Sequence, residues 1–238
     1  VKLEAGRQWI ESSDLVNLLD KLTPTEFSPV AKELLPEIKP ALAGRKIAIA
    51  KDNAFSFIYD ANLRLLTELG AEYVFFSPIN DAEIPEADGL WLPGGYPELH
   101  VEALQRNTSM HSSIKAFAAA DKPILAECGG FLYCLESLTD LEDNSYKMLG
   151  LMAGVGKMRQ RGGCQGMQTA QLPEGDVRGH SHHRSLSSLT PMPVAHGKRP
   201  KHPAPGEEIY RVGSLTASYI HLFFPSNPQA MVDLFKEI

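Results

Sequence analysis

Short apolar runs alternating with helix-period segments between Lys46 and Glu127 predict an α/β fold, a mostly parallel sheet with helices on both faces. Two further observations support it: glycine or proline punctuates the ends of these segments, and the most reactive-looking residue follows one of the runs. Taken in order, Lys46-Ile47-Ala48-Ile49-Ala50 reads as a buried strand. Asp60 to Leu69 reads as a helix, with Leu63, Leu66 and Leu69 on one face and Gly70 to end it. Tyr73–Phe76 is a second strand and Gly89–Leu92 a third, leading into Pro93-Gly94-Gly95. Ser109 to Ala120 is a helix, Pro123 to Glu127 a fourth strand, and a further helix follows Cys128. In the less regular second half, residues 149–155, 167–172 and 212–220 read as β segments. Residues 185–208, rich in proline, serine and basic side chains, read as a loop. Ahead of all this, Leu15 to Leu22 gives a short amphipathic helix, and Pro24, Pro29, Pro36 and Pro40 mark a segment too interrupted for a core element. Residues 1–44 are therefore a connector, the tail of an upstream domain or an N-terminal arm, and residues 45–238 are the domain proper.

The composition is that of an ordinary globular chain: 238 residues, 43% hydrophobic and 22% charged, with a net charge of −6. That acidity argues against nucleic acid or an anionic membrane as partner. No apolar run is long enough to span a bilayer, and three cysteines without framework spacing point to a reducing, cytoplasmic setting. The opening Val1 suggests a fragment. No GxxxxGK[ST] and no strand-borne GxGxxG occurs, so neither ATP nor a dinucleotide is expected to bind this chain.

The order strand, Cys128, Gly129-Gly130, helix mounts a thiol on a sharp turn, with a helix N-terminus to favour its ionisation. Attack on a carbonyl also requires oxyanion donors and a base. The Gly129 N–H is one donor, and Gly94-Gly95 supplies the other because glycine admits close backbone approach. Among eight histidines, His221 ends the apolar run Ala217-Ser218-Tyr219-Ile220, well placed to reach a site above the sheet; a core histidine is the alternative. The cluster His180, His182, His183 lacks an accompanying CxxC or HExxH, so no metal is expected there and its role is open. Cys134 and Cys164 read as structural.

Several stretches together resemble the glutamine amidotransferase domain of cobyrinic acid a,c-diamide synthases. They are the run from Lys46 to Asp52 with Phe55-Ser56-Phe57, Asn62-Leu63, Phe75-Phe76-Ser77-Pro78 and Leu92-Pro93-Gly94-Gly95-Tyr96-Pro97-Glu98. Ala126-Glu127-Cys128-Gly129-Gly130, Gln165-Gly166-Met167, Arg178-Gly179-His180 and Ala217-Ser218-Tyr219-Ile220-His221 continue the match. The resemblance covers about residues 45–235 and implies a class I glutaminase on a flavodoxin-like sheet. Cys128 would be the nucleophile, His221 the base, and Gly95 and Gly129 the oxyanion hole. Glutamine would be the substrate, with ammonia passing to a synthetase domain that carries ATP and Mg and amidates the a and c carboxylates of cobyrinic acid. Residues 1–44 resemble the end of that upstream domain and its linker. Two positions depart from the family pattern: Ser181-His182 after Arg178-Gly179-His180, and Phe223 two residues beyond His221. They leave the acceptor open to a nickel tetrapyrrole or a cell-wall precursor. A cysteine-elbow protein of the DJ-1/PfpI kind, and a glutaminase that has become a scaffold, are the competing readings.

Overall fold

The computed structural model describes residues 2–26 and 39–236. By its internal packing the chain divides into two units, Val1–Glu37 and Ile38–Ile238. In the first, helices Lys2–Ser12 and Leu15–Leu19 are short, and Lys2–Ser12 buries no side chain. Arg7 bridges Glu4 and Glu11 at one-turn spacing, exposed pairs of little energetic weight. The expected helix over 15–22 is thus shorter, and the Lys2–Ser12 helix was not anticipated. Pro29 and Pro36 lie outside the described residues.

The second unit is built on a ten-stranded sheet. Its first half is parallel, in the order Glu72–Phe76, Lys46–Ala50, Gly89–Leu92, Ile124–Glu127, Leu215–Ser218. Strand alternation sorts its side chains into two cores. On one face Ala48, Ala50, Leu90, Leu92 and Ala126 pack with Met110, Ile114 and Phe117 of helix Thr108–Ala119 and with Phe131 of helix Gly129–Cys134. On the other, Ile47, Ile49, Trp91 and Leu125 meet Leu65 and Leu66 of helix Asp60–Glu68 and Met231, Leu234 and Phe235 of helix Pro228–Phe235. The two-face covering expected from the alternation is what the structure has.

Beyond Leu215–Ser218 the sheet turns antiparallel through Glu208–Val212, Ala195–Lys198, Gln165–Leu172, Gly175–His182 and the two-residue strand His221–Leu222. A separate four-stranded sheet joins Ser185–Ser188, Val155–Met158, Ser137–Thr139 and Ser145–Lys147, and Phe55–Phe57 pairs with Gly94–Gly95. Two expectations are corrected. Residues 185–208 are not a loop: Ser185–Ser188 and Ala195–Lys198 are strands that owe their form to neighbouring partners rather than to apolar content. Residues 149–154 are not β. Their N–H groups bond the last carbonyls of the preceding helix and its exit, Leu149 to Tyr133 (2.9 Å), Leu151 to Cys134 (2.9 Å) and Gly150 to Leu135 (2.8 Å). The strand begins only at Val155. This partly buried run caps the helix, a role that hydrophobicity does not distinguish from a strand.

Candidate active site

Cys128 stands between strand Ile124–Glu127 and helix Gly129–Cys134 at φ +47° and ψ −100°, a region that non-glycine residues seldom enter. Its N–H donates to the Ser218 carbonyl (2.8 Å), which continues the ladder with the neighbouring parallel strand past Glu127. The next two residues must be glycine for lack of space. A Cβ on Gly130 would collide with the Leu92 carbonyl, and one on Gly129 would lie 2.9 Å from both the Gly95 nitrogen and Pro97 Cδ. Gly95 in turn faces the Ala54 carbonyl too closely for any side chain. Tyr96 N–H takes that carbonyl (2.8 Å), so Gly95 is not the residue that bonds across to Phe55 in this antiparallel pair. Gly95 and Gly129 therefore lie against each other, with Gly94 adjoining in the chain.

His221 reaches the same place from the end of the sheet. Its strand pairs with Gly175–His182 in a register that sets His221 opposite His180, and Gly179 lies so close to the His221 carbonyl that no side chain fits. The imidazole lies on Gly94, where a Cβ would stand 2.8 Å from Nδ1 and nearer still to Cε1. Phe57 (5.1 Å between ring centres) and His180 (5.1 Å, 24° between planes) close two other sides. His180 Nδ1 meets the Tyr59 hydroxyl at 2.9 Å. No carboxylate follows His221: position 223 is a half-exposed phenylalanine, and His221 Nδ1 is buried with no hydrogen-bond partner among the described residues. Ring packing, not a third acid, orients this histidine.

Two fully buried polar residues that sequence reasoning did not assign hold the segment in place. Glu127 accepts from Leu222 N–H (2.8 Å) and Trp91 Nε1–H (3.0 Å). Asn62 donates to the Leu222 carbonyl (2.8 Å) and accepts from Phe224 N–H (2.9 Å). The available signal was a carboxylate closing a four-residue apolar strand, since such a group inside a core must serve donors.

The electrostatics correct one expectation. Burial pushes the Cys128 thiol up to about 12, with Glu98 the next cause; the Gly129 N–H acts against them, and Glu127 and Glu207 add to the rise. Desolvation, with these carboxylates, outweighs the short helix's N-terminus, so the resting residue is a thiol and not the ready thiolate anticipated. His221 is drawn down to about 3 by burial first and then by His180, His183 and His182, so it rests as neutral imidazole. Burial also raises Glu127 to about 8, against its two N–H donors.

Cys128, His221 and Gly95 line one cavity of about 640 Å³, together with Glu98, Arg159 and His183. That volume lies in the range of small-molecule sites. His183 is buried, its Nε2 2.9 Å from Glu207 Oε1 and its Nδ1 3.1 Å from the Ser185 carbonyl, and it stacks on Tyr219 (3.8 Å). His182 also lines the cavity but is exposed. The three histidines do not converge, and among the described residues no group of three His, Cys, Asp or Glu side chains could hold a metal. Cys134 is fully buried; Cys164 is partly so, within 3.4 Å of Gln168 Nε2.

An α/β sheet that presents a cysteine on a strained strand–helix turn and a histidine just beyond the adjoining strand in one cavity has the architecture of glutamine amidotransferases. Solved structures agree on the fold. A glutamine amidotransferase superposes with TM-score 0.54 at 13% identity over 79% of this chain and 96% of its own. A Thermotoga maritima glutamine amidotransferase gives 0.51 at 14% identity over 79% of each. Residues 46–229 match the CobB/CobQ-like glutamine amidotransferase domain, and the chain belongs to that family, as its PGGYPE and ECGG motifs suggested. The hydrogenobyrinate a,c-diamide synthase of Stutzerimonas stutzeri is 48% identical over 89% of this chain and 50% of its own length. That of Pseudomonas aeruginosa is 47% identical over 83% and 45%. The cobyrinate a,c-diamide synthase of Herminiimonas arsenicoxydans is 43% identical over 82% and 45%. The chain spans about half the length of these relatives.

Proposed function

We propose that this chain is the glutaminase part of a corrin a,c-diamide synthase, hydrolysing glutamine through a Cys128 thioester and supplying ammonia to an ATP-dependent synthetase part. The observation that carries this reading is the convergence of Cys128, Gly95 and His221 on one cavity, with Gly129 packed against Gly95. Because both reacting groups rest neutral, His221 takes the Cys128 proton as the sulfur attacks the carboxamide carbon of glutamine. The Gly95 and Gly129 N–H groups receive the oxyanion. His221 then gives its proton to the departing nitrogen, which leaves as ammonia. In the second half it takes a proton from water, which attacks the thioester, and returns that proton to the Cys128 sulfur as glutamate forms.

ATP and Mg belong in this reading to the synthetase half, which activates the acceptor carboxylates. The relatives' names support hydrogenobyrinate or cobyrinate as that acceptor, amidated at its a and c carboxylates. The three free cysteines fit a reducing cytoplasm. Among the described residues no helix is long and apolar enough to cross a membrane. The test is intact mass after incubation with 6-diazo-5-oxo-norleucine, a glutamine analogue, alongside Cys128→Ser. One adduct on wild type and none on the variant is expected. No adduct on wild type, with a synthetase partner added, would refute the reading.

A further inference from the structure

We infer that Glu98 is the receptor for the α-ammonium group of glutamine, and that seating this cation on Glu98 prepares Cys128 for attack. The inference rests on the glutaminase reading above and says how that site tells glutamine from other amides. Glu98 lies in the short 3-10 turn Pro97–Leu99, directly after the residue whose ring packs against Gly129. Glu98 lines the same cavity as Cys128. Among the described residues it has no cationic partner, its hydrogen bond coming from its own backbone N–H. A carboxylate held partly out of water without a counter-charge is an incomplete ion pair, and a ligand cation completes it. The substrate proposed here carries one such cation, a few bonds from the carboxamide that must reach Cys128.

The charge placement gives this contact a second consequence. Burial raises Glu98 above its ordinary value, and among charged groups Glu98 contributes most to holding the Cys128 proton in place. An ammonium ion on Glu98 cancels that negative charge as seen from the sulfur, so the thiol gives up its proton to His221 more readily once glutamine is bound. The empty site stays protonated and resistant to stray electrophiles, and an amide bearing the α-ammonium group releases it most readily.

The experiment compares kcat/KM for glutamine with that for glutaramate, which lacks only the α-amino group, in wild type, Glu98→Gln and Glu98→Asp. Wild type is expected to prefer glutamine by at least about a hundredfold, as sites built to pair a polar group do. In Glu98→Gln that ratio should fall below about tenfold, through a raised KM for glutamine together with faster glutaramate turnover; Glu98→Asp should restore part of the preference. In the free protein, iodoacetamide, which has no ammonium group, should alkylate Cys128 of Glu98→Gln faster than wild type, by up to about tenfold. An unchanged glutamine preference in Glu98→Gln with wild-type turnover intact overturns the inference and leaves the glutaminase reading standing. No turnover and no diazo-ketone adduct in wild type overturns that reading and the inference with it.

Discussion

Replacing Gly94 by alanine tests whether the seat of His221 sets the rate. Gly94 has no positive φ, so alanine meets no backbone penalty there, and the change is one of space alone. Its Cβ would stand 2.8 Å from His221 Nδ1 and closer to Cε1, whereas carbon and nitrogen pack at about 3.5 Å or more. The imidazole must therefore withdraw by about 1 Å. Phe57 and His180 oppose that movement, so part of the strain appears as overpacking, about 1–3 kcal/mol of stability. The larger effect is on chemistry, since a reacting group misplaced by about 1 Å costs about a hundredfold in rate. Glutamate release under saturating glutamine should show kcat down by about that factor, with KM changed only a few-fold, because neither Cys128 nor Glu98 is displaced. Urea unfolding on the same samples separates folding loss from catalytic loss. A variant with wild-type kcat and a raised KM would refute the reasoning, since Gly94 would then contact the substrate and not the base.

Cys128→Gly should be inactive yet about 1 kcal/mol more stable than Cys128→Ala, because glycine adopts φ +47° and ψ −100° without the strain a Cβ brings; urea midpoints decide, and equal stabilities would remove the strain argument. Alkylation of free Cys128 by iodoacetamide should accelerate about tenfold per pH unit beyond pH 9, as expected of a thiol pushed up to about 12. A plateau near pH 7 would reveal a preformed thiolate. Glu127, raised from 4.5 to about 8, binds its proton more tightly folded than unfolded, so its contribution to stability is fully present below pH 4.5 and lost as pH rises to about 8. For this fully buried group the loss is up to about 5 kcal/mol. Stability curves of wild type and Glu127→Gln should therefore differ in slope across that window, and parallel curves would show that Glu127 does not titrate there.

The legible parts of this chain are those where one residue type answers to one physical demand. Strands such as Lys46–Ala50 and Gly89–Leu92 are buried on both faces of a parallel sheet, so they read as unbroken apolar runs. Gly94, Gly95 and Gly129 stand out in the sequence as glycines that follow strand-like runs, and in the structure protein atoms crowd all three too closely for a side chain. Strands Ser185–Ser188 and Ala195–Lys198 were not legible: they are short and largely polar, and their form comes from Val155–Met158 and Glu208–Val212 alongside. Nor was the state of the thiol. The residues flanking Cys128 display a helix N-terminus, but Glu98 and Glu207 come from distant segments, and only the folded arrangement reveals them.

The register of two neighbouring strands brings Cys128 and His221 together. Ser218 lies beside Glu127, and its carbonyl takes the Cys128 N–H, so Cys128 leaves the sheet one residue past that pair and His221 comes three residues past it. A slip of one residue would turn Cys128 to the opposite face of the sheet. Tyr219 and Ile220 then cross from the parallel half to the far antiparallel edge, where His221 pairs with His180. Glu127 reaches back across this crossing to hold Leu222, so one carboxylate ties the strand before Cys128 to the strand of His221. Here orientation and strand pairing share the same hydrogen bonds and packing. Substitutions at Asn62 and Glu127 should therefore lower stability and turnover in proportion, whereas Gly94→Ala should separate them.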